Sequence, residues 1–585
     1  MPIQLESVHI SNFKSISNCE LLLSTYTPII GYNNSGKSNA ISAIQWLLRR
    51  SLLGKTDFNN SAQPIEVTGV ISGLTPAHVG LMPAVQQGQI NPYINNGILK
   101  VKRTQASSAT KVSEIILSVW NPTTATWSPN PVGIDNALST LMPDPIRIGA
   151  MEDSAEDASK SKSTTTIGKL LAEFIAPVKA AHEAELSGFL QEISRRVCED
   201  GDIRFAEFLT IESQISTKIN DLFPGISAKL HFEVPKFEDL VKGGTLRLQE
   251  GGATAREFSS YGHGTQRSVQ MALIRHLAEV KRAAAPVLGT TLLLIDEPEL
   301  YLHPFAVEQV RAALKSLGNT GYQVIFSTHS AQLVSSSDAQ FSLLMRKSDA
   351  RGSHVRQRLQ DAIQTVVPNS THQMEQLFTL GNSSQVLFAD KVLLTEGKTE
   401  QRLLPAIFES LRSRSLGQDR CALVAQSGAN DTKKSMEILA AMDIPSKAIV
   451  DLDYAFNGAI RDGFLQATDS DIAALKSILA NLSANGKITI GGNGLPQSGV
   501  VPAATAFVIL AQEPRAITHI ASLHAKLLAQ EIWLWQQGDV EAHLGLTEKS
   551  EREWARFNTD LGTNGLYAIC PHALSVDQML AWAVG

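Results

Sequence analysis

The segment YTPIIGYNNSGKSNAISAIQWLL, residues 26–48, restricts this chain more than any other stretch. A strand pattern enters a glycine loop, Gly31-x4-Gly36-Lys37-Ser38, and a helical pattern leaves it. Glycines in such a loop let backbone N–H groups approach phosphates, the lysine reaches the outer phosphates, and the Ser38 hydroxyl faces Mg²⁺. With Gly near 7% of residues, a chain of 585 contains this spacing by chance about 0.02 times. Asn33, Asn34, Ser35, Gly36, Lys37, Ser38 and Asn39 are therefore expected to cradle a nucleotide, and the fold class is expected to be α/β.

At 585 residues the chain is too long for one ordinary core, and about 150 residues per domain predicts two to four domains. No apolar run reaches the roughly 18 residues of a membrane-spanning helix. The opening MPIQLESVHISNFKSI alternates and carries no secretory h-region, so a cytoplasmic protein is expected. Cys19, Cys198, Cys421 and Cys570 lie far apart without a CxxC pair, which argues against a disulfide framework or a zinc module. The net charge of -6 gives no support for a globally basic nucleic-acid binder and leaves room for a local basic groove.

Three later segments extend the nucleotide-binding pattern. LLLIDEPEL sets Asp296 and Glu297 at the end of an apolar strand, where adjacent carboxylates are costly unless a cation shares the site. Asp296 is expected to hold Mg²⁺ through water, and Glu297 to polarise the attacking water. VIFSTHS sets His329 past another apolar strand, a candidate sensor of the γ-phosphate. Between them and the loop, FSSYGHGTQRS offers Ser260, Gly262 and Gly264. In this order the set resembles the ABC ATPase superfamily, in the branch of the RecF and SMC proteins. The resemblance implies ATP with Mg²⁺, two heads sandwiching two nucleotides, and hence a homodimer. The charged helical stretch from 167 would be a compact dimerisation or coupling insertion. The glutamine loop of that superfamily has no clear place, with Gln105 as one candidate.

A second group of acids begins at VLLTEGKTE. Glu396 ends a strand, and Glu400 falls in the first turn of the next helix, with Thr399 as its expected cap. In IVDLDYAF, Asp451 and Asp453 stand two apart, which on a strand puts both on one face. Such neighbours repel unless a cation lies between them. Glu-Gly-x-x-Glu, then SGAND with Gly428, then Asp-x-Asp resembles the Toprim fold of topoisomerases, bacterial primases and a family of nucleases.

An ABC-type head followed by Toprim in one chain resembles the OLD (overcoming lysogenization defect) family of ATP-dependent nucleases, in its single-gene, phage-encoded branch. That resemblance implies a DNA endonuclease or nickase, two divalent metals (Mg²⁺ or Mn²⁺) at the Toprim acids, DNA as partner, no membrane, and a dimer or higher oligomer. It also implies phage exclusion or another DNA-defence role. It adds Asp539 and Glu541 as ligands and Lys549 as a catalytic cation, beside Glu396 as ligand or general base. The expected domains are 1–166 and 226–384 for the ATPase head, 167–225 for the insertion, and 385–585 for Toprim with C-terminal helical elements. Trp533 and Trp535 could stack on bases, and core packing is the stronger expectation. The alternative is a RecF-like DNA-binding repair ATPase whose Toprim domain does not cut.

Overall fold

The computed structural model describes residues 2–149, 166–234, 246–252, 254–283, 289–366, 383–426 and 432–585. Gly428 and residues 151–165 of the polar loop lie outside them. The chain forms two compact units. The first comprises Met1–Thr27, Gly36–Leu333 and Asp349–Ser353; the second comprises Pro28–Ser35, Val334–Ser348 and His354–Gly585. Among the described residues, no helix is long and apolar enough to cross a membrane.

The chain opens with β1 (Gln4–Phe13), β2 (Ile16–Leu22) and β3 (Tyr26–Ile30). Then come β4 (Ile65–Ser72), β5 (Leu99–Gln105), β6 (Ile116–Asn121) and β7 (Thr126–Pro129). In the first unit β2–β1–β4–β5–β6–β7 form an antiparallel run. Alternation along β4 buries Ile65, Val67, Gly69 and Ile71. Gly69 is small because the helix Lys37–Leu48 lies on that face, and a Cβ there would stand 2.5 Å from Leu47 Cδ2.

Other strands of this unit are parallel. β8 (Ile146–Ile148) and a short ribbon, β9 (Arg247–Leu248) with β10 (Arg256–Glu257), precede β11 (Thr291–Asp296) and β12 (Tyr322–Thr328). β11 pairs in parallel with β8 on one side and β12 on the other, with Asp296 opposite Ser327. Leu292, Leu293, Leu294 and Ile295 are all fully buried, as a strand covered on both faces requires. The helices Thr166–Val197 and Ala206–Leu222 follow β8 in the chain, the longer spanning about 48 Å at 1.5 Å per residue. Arg204 forks onto Glu212 at 3.1 and 2.7 Å and fixes the second helix to the turn before it.

In the second unit β13 (Leu343–Ser348) runs parallel to the end of β3, and β14 (Gly352–Val355) follows. The C-terminal sheet uses β15 (Lys391–Thr395), β16 (Cys421–Ala425), β17 (Ser446–Val450) and, after the small hairpin β18 (Thr489–Ile490) and β19 (Pro496–Gln497), β20 (Ile532–Leu534). Its order is β16–β15–β17–β20, all parallel. Period-2 geometry splits each strand between two cores. Val392, Leu394, Ala448, Val450, Ile532 and Leu534 join one, while Leu393, Ile449 and Trp533 join the other. Every functional group of this sheet must therefore come from beyond the strand ends.

Candidate nucleotide and nuclease sites

Gly36 has φ 104° and starts the helix Lys37–Leu48. Asn34 has φ 64°, and a Cβ on Gly31 would meet Met345 O and Ser35 Oγ at 2.5 Å, so the loop needs its first glycine for space and its second for conformation. Lys37 Nζ lies 2.9 Å from His329 Nε2, and His329 Nε2 lies 3.2 Å from Glu297 Oε1. Ser38 Oγ donates to Asp296 Oδ1 at 2.9 Å. The structure thus gathers Lys37, Ser38, Asp296, Glu297 and His329, which are up to 292 positions apart in sequence. The hydrogen bond from His329 outweighs burial and holds the Glu297 carboxyl below the usual range.

Asn39 turns instead to Ser15 Oγ at 2.8 Å. Ser260 Oγ donates to Glu257 O, and nothing among the described residues lies within 4 Å of a Cβ placed on Gly262. Both glycines sit where the helix His263–Ala283 begins, and no bond joins Ser260, Gly262 or Gly264 to the Lys37 group among the described residues. Gln105 is committed elsewhere, bonding both the N–H and the C=O of Leu53.

Sequence patterns missed four contributors to this site. Arg147 on β8 reaches Asp296 Oδ2 at 3.2 Å and Ser42 and Gln45 at 2.9 Å. Ser327 Oγ donates to Asp296 Oδ1 at 3.0 Å. Glu299 accepts from Thr328 Oγ1 and from the His329 N–H, both at 2.8 Å, and so sets the histidine. Arg267 stands behind Glu297. Only Glu299 was within reach of pattern reading, as the next acid of DEPEL.

The second group assembles at the C-terminal edge of the parallel sheet, where α/β folds place their sites. Glu396 follows β15 directly, and its Oε2 accepts from Asp451 N at 3.0 Å. β17 ends at Val450, and Asp451 caps a 3₁₀ turn, Leu452–Phe456. Asp453 is therefore on a turn and exposed, not on a strand face beside Asp451. Thr399 is not the helix cap either: Gly397 is, and Thr399 Oγ1 donates to Glu541 Oε1 at 2.5 Å. Asp539 accepts from Ala542 N at 2.8 Å and caps the helix Val540–Leu544. Lys549 Nζ lies 3.0 Å from Glu541 Oε2. Trp533 and Trp535 are 6% and 0% exposed and belong to the core.

Burial and mutual repulsion dominate the electrostatics. Burial and the charge of Asp453 push Glu396 up to about 6. Burial, then Glu541 and Glu396, push Glu400 up to about 7. Asp451 rises well above its ordinary value through burial and the charges of Glu396 and Glu400, and burial also raises Asp539. Burial lowers the Lys549 ammonium, but Glu541, Asp451 and Asp539 outweigh it, so its net shift is upward. The group holds more negative charge than one lysine offsets.

Whether these residues suit divalent ions turns on two observations. Asp451 Oδ1 is buried without a hydrogen-bond partner, and all donors are hard carboxylate oxygens. Among the described residues no three of them converge into a ready-made cage. Mg²⁺ keeps several waters and takes only one or two carboxylates beside substrate phosphate, so open carboxylates of this kind fit it.

Gly538 supports the site from behind. It has φ 110°, its carbonyl accepts from Leu452 N at 2.7 Å, and a Cβ would stand 3.0 Å from Val508 Cα. Gly538→Ala is expected to cost about 1–3 kcal/mol through backbone strain and overpacking. Thermal melting of the variant checks this, and an unchanged melting temperature would refute it.

Comparison with known proteins finds ATPase models and a Toprim model along the chain. Residues 387–453 match the family described as "Overcoming lysogenization defect protein-like, TOPRIM domain". Residues 4–116 match "AAA ATPase domain", and residues 168–335 match "AAA domain, putative AbiEii toxin, Type IV TA system". The "Old nuclease" of Escherichia phage P2 is 37% identical over 564 residues, 95% of this chain and 95% of that protein. The "OLD nuclease" of Thermus scotoductus is 25% identical over 476 residues, 77% of this chain and 82% of that protein. Among solved structures, an SMC head bound to the C-winged helix domain of ScpA covers 62% of this chain and 99% of its own, at 19% identity and TM-score 0.37. With an ATPase part, a Toprim part and a nuclease relative matched along nearly its whole length, this chain belongs to the Old (overcoming lysogenization defect) nuclease family and is an ATPase and a nuclease.

Proposed function

We propose that the protein is an ATP-regulated, divalent-metal-dependent DNA endonuclease or nickase that serves phage exclusion or another form of DNA defence in the cytoplasm. Residues 1–384 act as the ATPase head, with 167–225 as a dimerisation insertion, and 385–585 cut. The observation that carries this is the mutually repelling group of half-buried Glu396 and Asp451 with buried Glu400, an unpartnered Asp451 oxygen and the Lys549 ammonium beside it.

Drawn from Glu396, Glu400, Asp451, Asp453, Asp539 and Glu541, one or two carboxylates would hold each of two cations, Mg²⁺ or Mn²⁺. Such cations would supply water activation and charge stabilisation at the departing oxygen. Glu396, which shifts toward neutrality, is suited to take a proton from water at working pH. Lys549 offsets charge on the crowded phosphate. In the head, Ser38 and Asp296 would hold Mg²⁺, with ATP on Asn33, Asn34, Ser35, Gly36 and Lys37. Glu297 orients water, and His329 senses the γ-phosphate. A second copy brings its Ser260, Gly262 and Gly264 to this nucleotide. The insertion exposes Phe189, Leu209, Leu222 and Phe223 at 51–75%, apolar surface of the kind a homodimer covers.

Supercoiled plasmid incubated with Mg²⁺ or Mn²⁺, with and without ATP, tests the proposal. Nicking or linearisation that depends on metal and changes with ATP is expected. Intact ATP hydrolysis with no cleavage under any metal would favour a DNA-binding ATPase that does not cut.

Metal should also act on stability. Glu396 and Glu400 bind protons more tightly folded than unfolded, so the metal-free fold loses stability as pH rises from about 4.5 through about 7. Cations need these groups deprotonated, so Mg²⁺ should raise the melting temperature more at pH 8 than at pH 6. At a hundred times Kd the gain is about 2.7 kcal/mol. A metal effect that is equal at both pH values would count against these ligands.

A further inference from the structure

We infer that Arg267 is the positioning residue of the ATPase site, holding Glu297 in the backbone turn that presents its carboxylate to Lys37 and His329. The inference rests on the assignment of Glu297 as the group that orients water. Glu297 has φ 49°, a left-handed conformation that costs a non-glycine residue about 1–2 kcal/mol and persists only where its surroundings impose it. Backbone bonds hold it on both sides, Glu297 N to Ser327 O and Leu300 N to Glu297 O, each at 3.1 Å, and one guanidinium adds to them. Its Nη2 donates to Asp296 O at 2.5 Å and to Glu297 O at 2.7 Å, so the carbonyls of both residues converge on a single nitrogen. Its Nη1 donates to Gly149 O at 2.9 Å, just past β8, and lies 3.3 Å from Gln270 Oε1. The fork thus spans the ends of two neighbouring parallel strands and fixes the peptides on both sides of the Glu297 Cα.

A core arginine usually repays its burial by pairing with a carboxylate. Arg267 is 3% exposed; its Nη1 and Nη2 donate to three carbonyl oxygens and one amide, while Nε is buried without a partner. Burial brings it down to about 10, which leaves it charged at neutral pH. Its charge thus lies behind the Asp296–Glu297 backbone while both carboxylates remain available on the other side. Glu297 Oε1 stays 3.2 Å from His329, and Asp296 Oδ1 keeps Ser38 and Ser327. A lysine could hold one of these carbonyl groups but not the fork, because an ammonium is a point donor.

The full-length protein carrying Arg267→Lys, Arg267→Gln or Glu297→Gln tests this, with each Arg267 change also combined with Glu297→Gln. The readouts are kcat and KM for ATP, binding of a fluorescent ATP analogue, and thermal melting. Arg267→Lys should lower kcat about 100-fold, the loss that a displacement near 1 Å brings, with KM and analogue binding within about twofold. In the Glu297→Gln background it should lower kcat no further, since the residue it positions has already lost its function. Wild-type kcat in Arg267→Lys would overturn the inference. So would an equal fold-loss in the Glu297→Gln background, or a kcat loss matched by lost analogue binding. Wild-type kcat in Glu297→Gln would instead overturn the assignment of Glu297 itself. If Arg267→Gln fails to fold, Arg267→Lys carries the test.

Discussion

Asp451→Asn should lower plasmid cleavage by roughly a hundred- to a thousand-fold while leaving the metal-free protein as stable as wild type or more so. The first half follows from what this carboxylate can do. Its Oδ1 is buried without a partner, which marks it as the acid most in need of a cation. A catalytic metal contributes several kcal/mol of charge stabilisation to the transition state, and a neutral amide is a poor ligand for it. The second half follows from the sign of its titration. Burial, Glu396 and Glu400 raise the Asp451 pKa above its unfolded value. The folded state therefore binds its proton more tightly, and the ionised group destabilises the fold increasingly as pH climbs past the ordinary aspartate range. Asn has the same shape and no such penalty. Gel assays of nicking and melting curves at pH 8 check both halves. Cleavage within tenfold of wild type would remove Asp451 from the site. A large fall in metal-free stability would mean that the acid is structural.

The two sites were unequally legible in the sequence, and backbone geometry explains why. Glu396, Asp451 and Asp296 each sit at or one residue past the end of an apolar parallel strand. A run such as KVLLT announces its own end, because a charge cannot be buried between two cores. Side chains beyond that end are harder to place. The two-residue period of a strand puts Asp453 on the face of Asp451, but the ladder stops at Val450 and the chain turns. The period lapses with the ladder that imposed it. Thr399 met a similar fate, since Gly397 starts the helix and frees the threonine for Glu541.

Arg147 and Arg267 were illegible for a different reason. They reach Asp296 from 149 and 29 positions away, and no spacing rule links either to it. Loops with a recurring glycine pattern can be read locally, whereas an arginine that forks onto backbone carbonyls leaves no local signature. The same holds for Gly538, whose φ of 110° and contact with Val508 show only in the fold.

Lys37→Met should lower ATP hydrolysis by about 10²–10³-fold and make cleavage indifferent to ATP. Lys37 is 6% exposed, and its stem packs at the start of the helix Lys37–Leu48. Met fills a similar volume without the ammonium, so melting should change little. The loss of rate comes from charge. A preorganised donor aimed at oxygens that gain charge in the transition state is worth about 2.7–4 kcal/mol in a site shielded from water. Nζ also stands 2.9 Å from His329 Nε2, which in turn reaches Glu297, so the ammonium anchors a chain that ends on the carboxylate assigned to water. Steady-state hydrolysis and plasmid cleavage, each with and without ATP, separate the consequences. Retained hydrolysis would show that the glycine loop does not hold the reacting phosphate. Lost hydrolysis with cleavage still responsive to ATP would mean that binding, rather than the Lys37–His329–Glu297 chain, carries the nucleotide signal. Lost hydrolysis with cleavage unresponsive to ATP would place the signal on that chain, because the Glu396–Asp451 group is untouched by the substitution.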